Sequence, residues 1–145
     1  MLDRHAIAAR IPHQGTMSLL DTVVEWNPAS IHCTAVSHRH ADNPLRHAGR
    51  LGVAAGIEYA AQAMAVHGGL LAAGNAPPRQ GYLASVRQVQ FHVPFLDDLP
   101  ADLQIAAERL SGDATQVLYR FTLSSGDTPV LDGRAAVILD AGALP

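Results

Sequence analysis

The sequence predicts an α+β fold in which a curved, six-stranded antiparallel sheet wraps around one long buried helix. Residues 51–74 consist almost wholly of Ala, Gly, Leu, Val, Ile and Met, a composition typical of a helix covered on more than one face. Two segments with strand-like patterns precede this helix and four follow it. One helix with six antiparallel strands is an α+β layer design, and a strongly curved sheet would cover such a helix.

The predicted elements follow one another without a linker or an internal repeat, which predicts a single domain spanning residues 1–145. The turn signal Asn27-Pro28 separates the first two strands, and Gly74 to Pro78 form the stop signal of the helix. Unpaired sheet edges need protection, so we also expect a dimer. The elements are a short helix (3–10), two strands (19–26 and 30–37), a polar loop (38–50), the long helix (about 52–73) and four strands (83–93, 102–110, 115–123 and 133–139).

Composition excludes several classes of function. The net charge is −3 and all ten basic residues are Arg, so no electrostatic footprint for nucleic acid exists. The single cysteine, Cys33, excludes an internal disulfide and fits a reducing compartment. No signal-peptide pattern opens the chain, and Glu58, Gln62 and His67 interrupt the apolar segment that has the length of a membrane span. We therefore expect a cytoplasmic protein without a membrane span.

Two polar residues stand out in the apolar helix. Glu58 and Gln62 are separated by four positions, so their side chains share one helix face. A carboxyl in an apolar wall favours its protonated form, which suits a general acid. The alternative is a structural hydrogen bond between the two side chains, and for Gln62 this structural role is the favoured one.

Three segments carry a resemblance to a known family. IPHQGTMSLLDTVVEW (11–26), GIEYAAQAMAVHGG (56–69) and LASVRQVQFHVPFLDDLPADLQIAAERL (83–110) resemble, in this order, motifs of the hotdog-fold 3-hydroxyacyl-[acyl-carrier-protein] dehydratases. The chain is most similar to a divergent branch of dehydratase-like proteins found with aryl-polyene and xanthomonadin-type pigment synthesis. The resemblance implies a hotdog fold. Because this fold hosts several activities, the function is a separate question.

The resemblance implies dehydration of a 3-hydroxyacyl thioester to the trans-2-enoyl thioester in fatty-acid-like or polyene pigment synthesis. The substrate would be carried on the 4'-phosphopantetheine of acyl-carrier protein or on coenzyme A, with no further cofactor. The partners implied are acyl-carrier protein and a second hotdog subunit, in a homodimer or a heterodimer. Two alternatives remain: an acyl thioesterase, and a non-catalytic partner subunit of a dehydratase heterodimer.

The resemblance also suggests site residues. Glu58 matches the helix carboxylate of the family and is the candidate general acid. The standard enzymes carry a histidine fourteen residues earlier, but this position is Pro44 here. The candidates for the base are therefore His13, in the opening IPH, and His47, eleven residues before Glu58, with a narrow preference for His13.

The remaining candidates concern substrate binding. Gly52 and Val53 lie at the predicted start of the helix, where exposed N–H groups polarise a thioester carbonyl. Gln62 is a weaker candidate for substrate contact, and Arg50 or Arg79 for contact with an acidic carrier protein. No metal site is expected, although His38, His40 and His47 lie in one loop. We expect His67 and His92 at surface or edge positions.

Overall fold

The computed structural model describes residues 1–11, 15–72 and 81–139, and it shows one antiparallel sheet with a long helix packed against it. The strands lie in the order β1-β2-β4-β5-β6-β3, which leaves β1 and β3 at the edges. The predicted fold class and all six strands are confirmed. The elements are α1 (Arg4–Ala8), β1 (Thr22–Asn27), β2 (Ser30–Ala35), α2 (Gly56–Leu71), β3 (Gly81–Phe91), β4 (Leu103–Gly112), β5 (Gln116–Ser125) and β6 (Thr128–Leu139).

The alternation of buried and exposed residues along β5 shows which face of the sheet is covered. Val117, Tyr119, Phe121 and Leu123 are buried on the inner face, whereas the residues between them are exposed on the outer face. Gly133 lies opposite Phe121 on β6, where an added Cβ would come within 2.9 Å of the Phe121 ring. The aromatic ring therefore fills space that only a glycine leaves open.

The helix α2 packs on this inner face and is pressed against it at its first residue. A Cβ at Gly56 would lie 2.5 Å from Leu131 Cδ2 and 3.1 Å from Leu123 Cδ2. The helix contacts β4, β2 and β5, and nine of its residues are buried. A half-buried stripe runs along the helix to its C-cap and consists of Glu58, Ala61, Ala65, Gly68 and Ala72.

The helix begins later than predicted because the chain before it is extended. The Leu96 N–H donates to Leu51 O (2.8 Å) and the Val53 N–H donates to Pro94 O (3.1 Å), so this stretch pairs with the turn after β3. A 3-10 turn, Val53–Ala55, then leads into the α-helix at Gly56. The predicted stop at Gly74 to Pro78 lies outside the described residues. Within the described ranges, no helix is long and apolar enough to cross a membrane.

Candidate active site

The segment from Gly15 to Leu20 is fixed from two sides. The Arg4 guanidinium donates to the Ser18 (2.5 Å), Leu20 (3.3 Å) and Gly15 (3.4 Å) carbonyl oxygens. From the other side, the Gln62 amide accepts from the Leu19 N–H (2.9 Å) and donates to Met17 O (2.7 Å). The first helix and the central helix thus hold this segment in one position.

Gln62 connects this segment to the candidate acid. Its side chain is fully buried, and its amide nitrogen also lies 3.4 Å from Glu58 Oε1, to which it donates. Glu58 itself is half-buried in the first turn of α2. The shared helix face predicted for Glu58 and Gln62 is therefore present. Because the Gln62 amide also bonds to the backbone of Met17 and Leu19, its hydrogen bonds are structural.

The predicted substrate-binding residues Gly52 and Val53 differ in what their N–H groups do. The Val53 N–H is engaged by Pro94 O, whereas Gly52 is exposed and, in the described part of the chain, its N–H has no hydrogen-bond acceptor. Gly52 N–H is accordingly the donor available to a carbonyl oxygen beside the helix start.

An ion-pair cluster holds the loop that enters the helix. Asp97 accepts from the Leu51 N–H (2.9 Å) and from Arg50 Nε (2.8 Å), while Arg50 also reaches Asp98 (2.9 Å). The Arg50 guanidinium stacks over the Phe95 ring at 3.8 Å. Although desolvation acts to raise the pKa of Asp97, the Leu51 N–H and the Arg50 guanidinium hold it below its ordinary value. Arg50 is thus committed within the protein, and the other candidate for carrier contact, Arg79, lies outside the described residues.

One of the two candidate bases, His47, lies within the described residues. His13 lies outside the described residues. His47 begins a tight turn whose next two residues, Ala48 and Gly49, have φ of 52° and 77°, and its backbone pairs with Arg50 in both directions. The His47 side chain is exposed, and no hydrogen bond or ion pair joins it to any of the described residues. The structure therefore does not bring His47 into contact with Glu58.

A buried network behind the site was missed by sequence reasoning. The Tyr59 hydroxyl donates to Ser37 Oγ (2.8 Å) and accepts from the Asn43 side-chain amide (3.1 Å). Ser37 in turn donates to Leu19 O (2.8 Å), the residue whose N–H Gln62 holds. Burial raises the pKa of the Tyr59 hydroxyl, which stays protonated as the donor. Apart from the neighbouring positions of Tyr59 and Gln62 on one helix, no local pattern in the sequence signals this network.

The expectation for His67 is wrong. His67 is fully buried, its Nε2–H donates to Asn27 O (2.8 Å), and its Nδ1 accepts from the Tyr119 hydroxyl (2.7 Å). Burial lowers the pKa of His67 and keeps the ring neutral. Helical spacing places residue 67 on the face that packs against β5, and two polar partners there satisfy the imidazole. His92, by contrast, is exposed and pairs with Asp132 at 2.8 Å.

The loop histidines His38 and His40 and the single cysteine, Cys33, lie in surroundings that suggest no catalytic role. His38 is buried and its Nε2–H donates to Leu99 O (3.0 Å), whereas His40 is exposed, so the two imidazoles face different environments. Cys33 is buried on β2, and burial raises the pKa of its thiol to about 12. This thiol is therefore not a nucleophile near neutral pH.

A cavity of about 220 Å³ lies further along the helix. Its helix side is formed by the half-buried stripe, through Ala65, Gly68 and Ala72, together with Met64 and Leu71. Its sheet side consists of Arg109, Asp113, Val117, Tyr119 and Val137. Met64 thus lines a cavity, whereas the Tyr59 hydroxyl belongs to the polar network.

Comparisons with known proteins agree with this architecture. The profile of a family described as ApeP-like, ApeP dehydratase, matches residues 5–141. Among curated protein sequences, none matches significantly.

Several solved structures share the fold, and these similarities confirm the predicted hotdog fold. The dehydratase heterocomplex ApeI:P from Xenorhabdus doucetiae is 23% identical, with a TM-score of 0.80, and the match covers 97% of this chain and 92% of that chain. A thioesterase from Haemophilus influenzae is 8% identical (TM-score 0.66; 97% and 92% covered). A thioesterase family protein from Silicibacter pomeroyi is 12% identical (TM-score 0.65; 94% of each chain covered).

Proposed function

The chain belongs to the ApeP-like dehydratase family, and from this premise we propose that it dehydrates a 3-hydroxyacyl thioester to the trans-2-enoyl thioester. The single observation that carries this proposal is the placement of Glu58. A carboxyl group stands half-buried at the start of the central helix, and a fully buried amide on the next turn contacts it. This placement makes Glu58 the candidate acid of the proposal.

The reaction needs two proton transfers. A base removes a proton from C2 of the substrate, the C2–C3 double bond forms, and the C3–O bond breaks. The departing hydroxyl takes a proton from an acid and leaves as water. We assign the acid to Glu58, with Gln62 as the positioning residue that holds the carboxyl and the segment after residue 14 together.

We assign the base to His13, and the anchoring of the neighbouring chain supports this choice. His13 precedes Gly15 by two residues, and the segment beginning at Gly15 is held by Arg4 and by Gln62, which contacts Glu58. A base must come within about 3 Å of the proton that it takes. His47 lies in an exposed turn, and its side chain bonds to none of the described residues, which makes it the weaker candidate.

The thioester carbonyl needs a donor as negative charge develops on its oxygen. We propose the Gly52 N–H for this role, since the Val53 N–H is already bonded to Pro94 O. The acyl chain would then follow the half-buried stripe of α2 towards the cavity beside Met64. At about 1.5 Å per residue, Met64 and Ala72 lie roughly 9 and 21 Å along the helix from Glu58. The substrate would be carried on the 4'-phosphopantetheine of acyl-carrier protein or on coenzyme A.

We further propose that the chain acts with a second hotdog subunit. Among the described residues, the edge strand β3 pairs only with β6. Large apolar side chains stand exposed on these two strands: Leu83 (39%), Phe91 (49%) and Ile138 (43%). An open strand edge beside apolar side chains is a surface suited to strand pairing between subunits. The similar Xenorhabdus doucetiae structure is a dehydratase heterocomplex, which supports a partner of the same fold.

The test separates dehydration from thioester hydrolysis, because several structures of this fold are thioesterases. The purified protein, alone and with a hotdog partner, is given a 3-hydroxyacyl-pantetheine thioester. Enoyl product and free thiol are then measured by mass spectrometry in the same sample. Enoyl formation without thiol release is the expected result. Release of free thiol without enoyl product would make the protein a thioesterase. If enoyl product forms only when a catalytically active partner is present, the protein is a non-catalytic subunit.

A further inference from the structure

The cavity beside the second half of α2 contains charged groups that the proposed mechanism does not use. Its apolar walls include Met64, Val117 and Val137, whereas Arg109 and Asp113 bring charges to it. Arg109 is half-buried on β4, and Asp113 is exposed in the turn before β5. A charge beside apolar walls needs a partner or water. What these groups already bind therefore determines what the cavity can recognise.

Two polar groups of the cavity have no proton to give to a ligand. Asp113 Oδ1 accepts from the Thr115 N–H (2.8 Å), the Thr115 hydroxyl (2.9 Å) and the Gln116 N–H (2.9 Å). These N–H groups hold the pKa of Asp113 below its ordinary value, so the carboxylate is ionised. The Tyr119 hydroxyl donates its proton to His67 Nδ1, because the other ring nitrogen of His67 is itself a donor.

The shape of the β4–β5 hairpin positions the Arg109 guanidinium. A β-bulge between Arg109 and Ser111 shifts the register of the two strands, and such bulges redirect side chains. The guanidinium lies against Gly112, where an added Cβ would come within 2.7 Å of Nη2 and 3.1 Å of Nε. The Arg109 N–H donates to Ala29 O (2.7 Å), which fixes the strand at this point.

The Arg109 guanidinium is a hydrogen-bond donor without an acid partner. Among the described residues, no carboxylate lies within ion-pair distance of it, although Asp113 lines the same cavity. Burial lowers the pKa of His67 and the positive charge of Arg109 lowers it further, so the guanidinium lies near this ring. Arg109 is thus the donor that the described walls of the cavity can offer to a ligand.

Gly68 keeps the helix side of the cavity open. It belongs to the half-buried stripe of α2, and a Cβ built there would meet no atom of the surrounding elements within 4 Å. Glycine is among the least favourable residues within a helix. Because no close contact requires a glycine at this position, the missing side chain enlarges the cavity rather than avoiding a clash.

We propose that this cavity receives the distal end of the acyl chain, and that Arg109 selects chains whose distal end carries a hydrogen-bond-accepting oxygen; this rests on the proposed function. The half-buried stripe leads from Glu58 to the cavity, so a chain along it brings its far end to the guanidinium. A plain alkyl end displaces water from the guanidinium without replacing its hydrogen bonds, whereas an oxygen replaces them. Because the ionised Asp113 lines the same cavity, a neutral oxygen fits better than a carboxylate.

The experiment compares two 3-hydroxyacyl-pantetheine thioesters of equal length, both long enough to extend beyond Met64. One ends in a hydroxyl group and the other in a methyl group. The unmodified protein is expected to favour the hydroxyl-ended substrate by about tenfold or more in kcat/KM, since the methyl end leaves a charged donor unpaired. Arg109→Met keeps the length of the side chain but removes its donors, so the ratio of the two kcat/KM values should fall to about one.

The matched control is Arg120→Met, at an exposed position on the outer face of β5. This variant should keep the preference of the unmodified protein. Equal kcat/KM values for the two long substrates in the unmodified protein would overturn the proposal. A preference for the hydroxyl end that survives in Arg109→Met would overturn it as well.

Gly68→Leu tests the cavity independently of the charge. Leucine suits a helix and has open space at this position, so the variant should fold, which thermal unfolding checks. We expect kcat/KM for both long substrates to fall relative to that for 3-hydroxybutyryl-pantetheine, whose short chain ends before the cavity. If the long and short substrates are affected alike, the acyl chain does not enter the cavity and the proposal is wrong.

A direct binding measurement separates this proposal from the proposed function. If the unmodified protein dehydrates no substrate, the proposed function fails, and selection is then decided by calorimetric titration with the corresponding long acyl-pantetheine amides, which do not react. Tighter binding of the hydroxyl-ended amide that is lost in Arg109→Met supports the role of Arg109. Equal binding of the two amides, or binding of neither, contradicts it.

Discussion

Replacing Gln62 by Leu tests whether this amide holds the segment beside the candidate acid. The change removes the acceptor of the Leu19 N–H and the donor to Met17 O, at 2.9 and 2.7 Å, from a fully buried position. An unsatisfied buried group costs about 1–3 kcal/mol. Leu19 is completely buried, so its N–H bears this cost in full, whereas the half-buried Met17 O can recruit water.

We therefore expect the Gln62→Leu variant to lose about 2–3 kcal/mol of unfolding free energy, a large share of the roughly 5–15 kcal/mol typical of a domain. The melting temperature should fall by about 6–10 °C. The assay is urea unfolding followed by circular dichroism, at one fixed protein concentration so that association contributes equally.

Gln116→Leu is the matched control, because Gln116 is exposed at the start of β5. It should change the unfolding free energy by less than about 0.5 kcal/mol. If Gln62→Leu also stays within this margin, Gln62 does not anchor residues 17–19, and the argument that connects His13 to Glu58 loses its support.

Two further predictions concern histidines. His13→Ala should lose most of the dehydration activity and His47→Ala only a modest part, measured with a 3-hydroxyacyl substrate and with thermal unfolding as the folding check; the reverse ranking would move the base to the loop. The second prediction follows from the lowered pKa of the buried His67. Below about pH 6.5 the His67 imidazole of the unfolded chain takes up a proton, whereas burial disfavours this protonation in the folded chain. Stability should therefore fall as pH drops from 7 to 5, and a His67→Gln variant should show a shallower fall; an unchanged slope would show that His67 is not the group responsible.

The fold was predictable because its signals are local. Strand alternation in residues 115–123 and the apolar composition of residues 51–74 fixed the type and order of the elements. The helix start was not predictable, since it depends on hydrogen bonds between Leu51, Val53 and a turn more than forty residues later.

The site was predictable only in part, because several of its contacts join distant parts of the chain. The contact between Glu58 and Gln62 follows from helical spacing, but the bonds from Gln62 to residues 17 and 19 join parts of the chain more than forty residues apart. The polarity of His67 suggested exposure, whereas its partners Asn27 and Tyr119 come from two different strands. Pairing across such distances leaves no mark in a local pattern.

The dehydration activity of a Glu58→Gln variant tests most directly the central claim, that Glu58 is the general acid. The fold should persist because the amide has nearly the shape of the carboxyl. The amide cannot, however, donate the proton to the leaving hydroxyl. Enoyl formation from a 3-hydroxyacyl-pantetheine thioester should drop by about 10²-fold or more. The control Glu25→Gln, at an exposed position of β1, should keep full activity. A folded Glu58→Gln protein that turns over substrate at nearly the original rate would contradict the assignment of Glu58 as the acid.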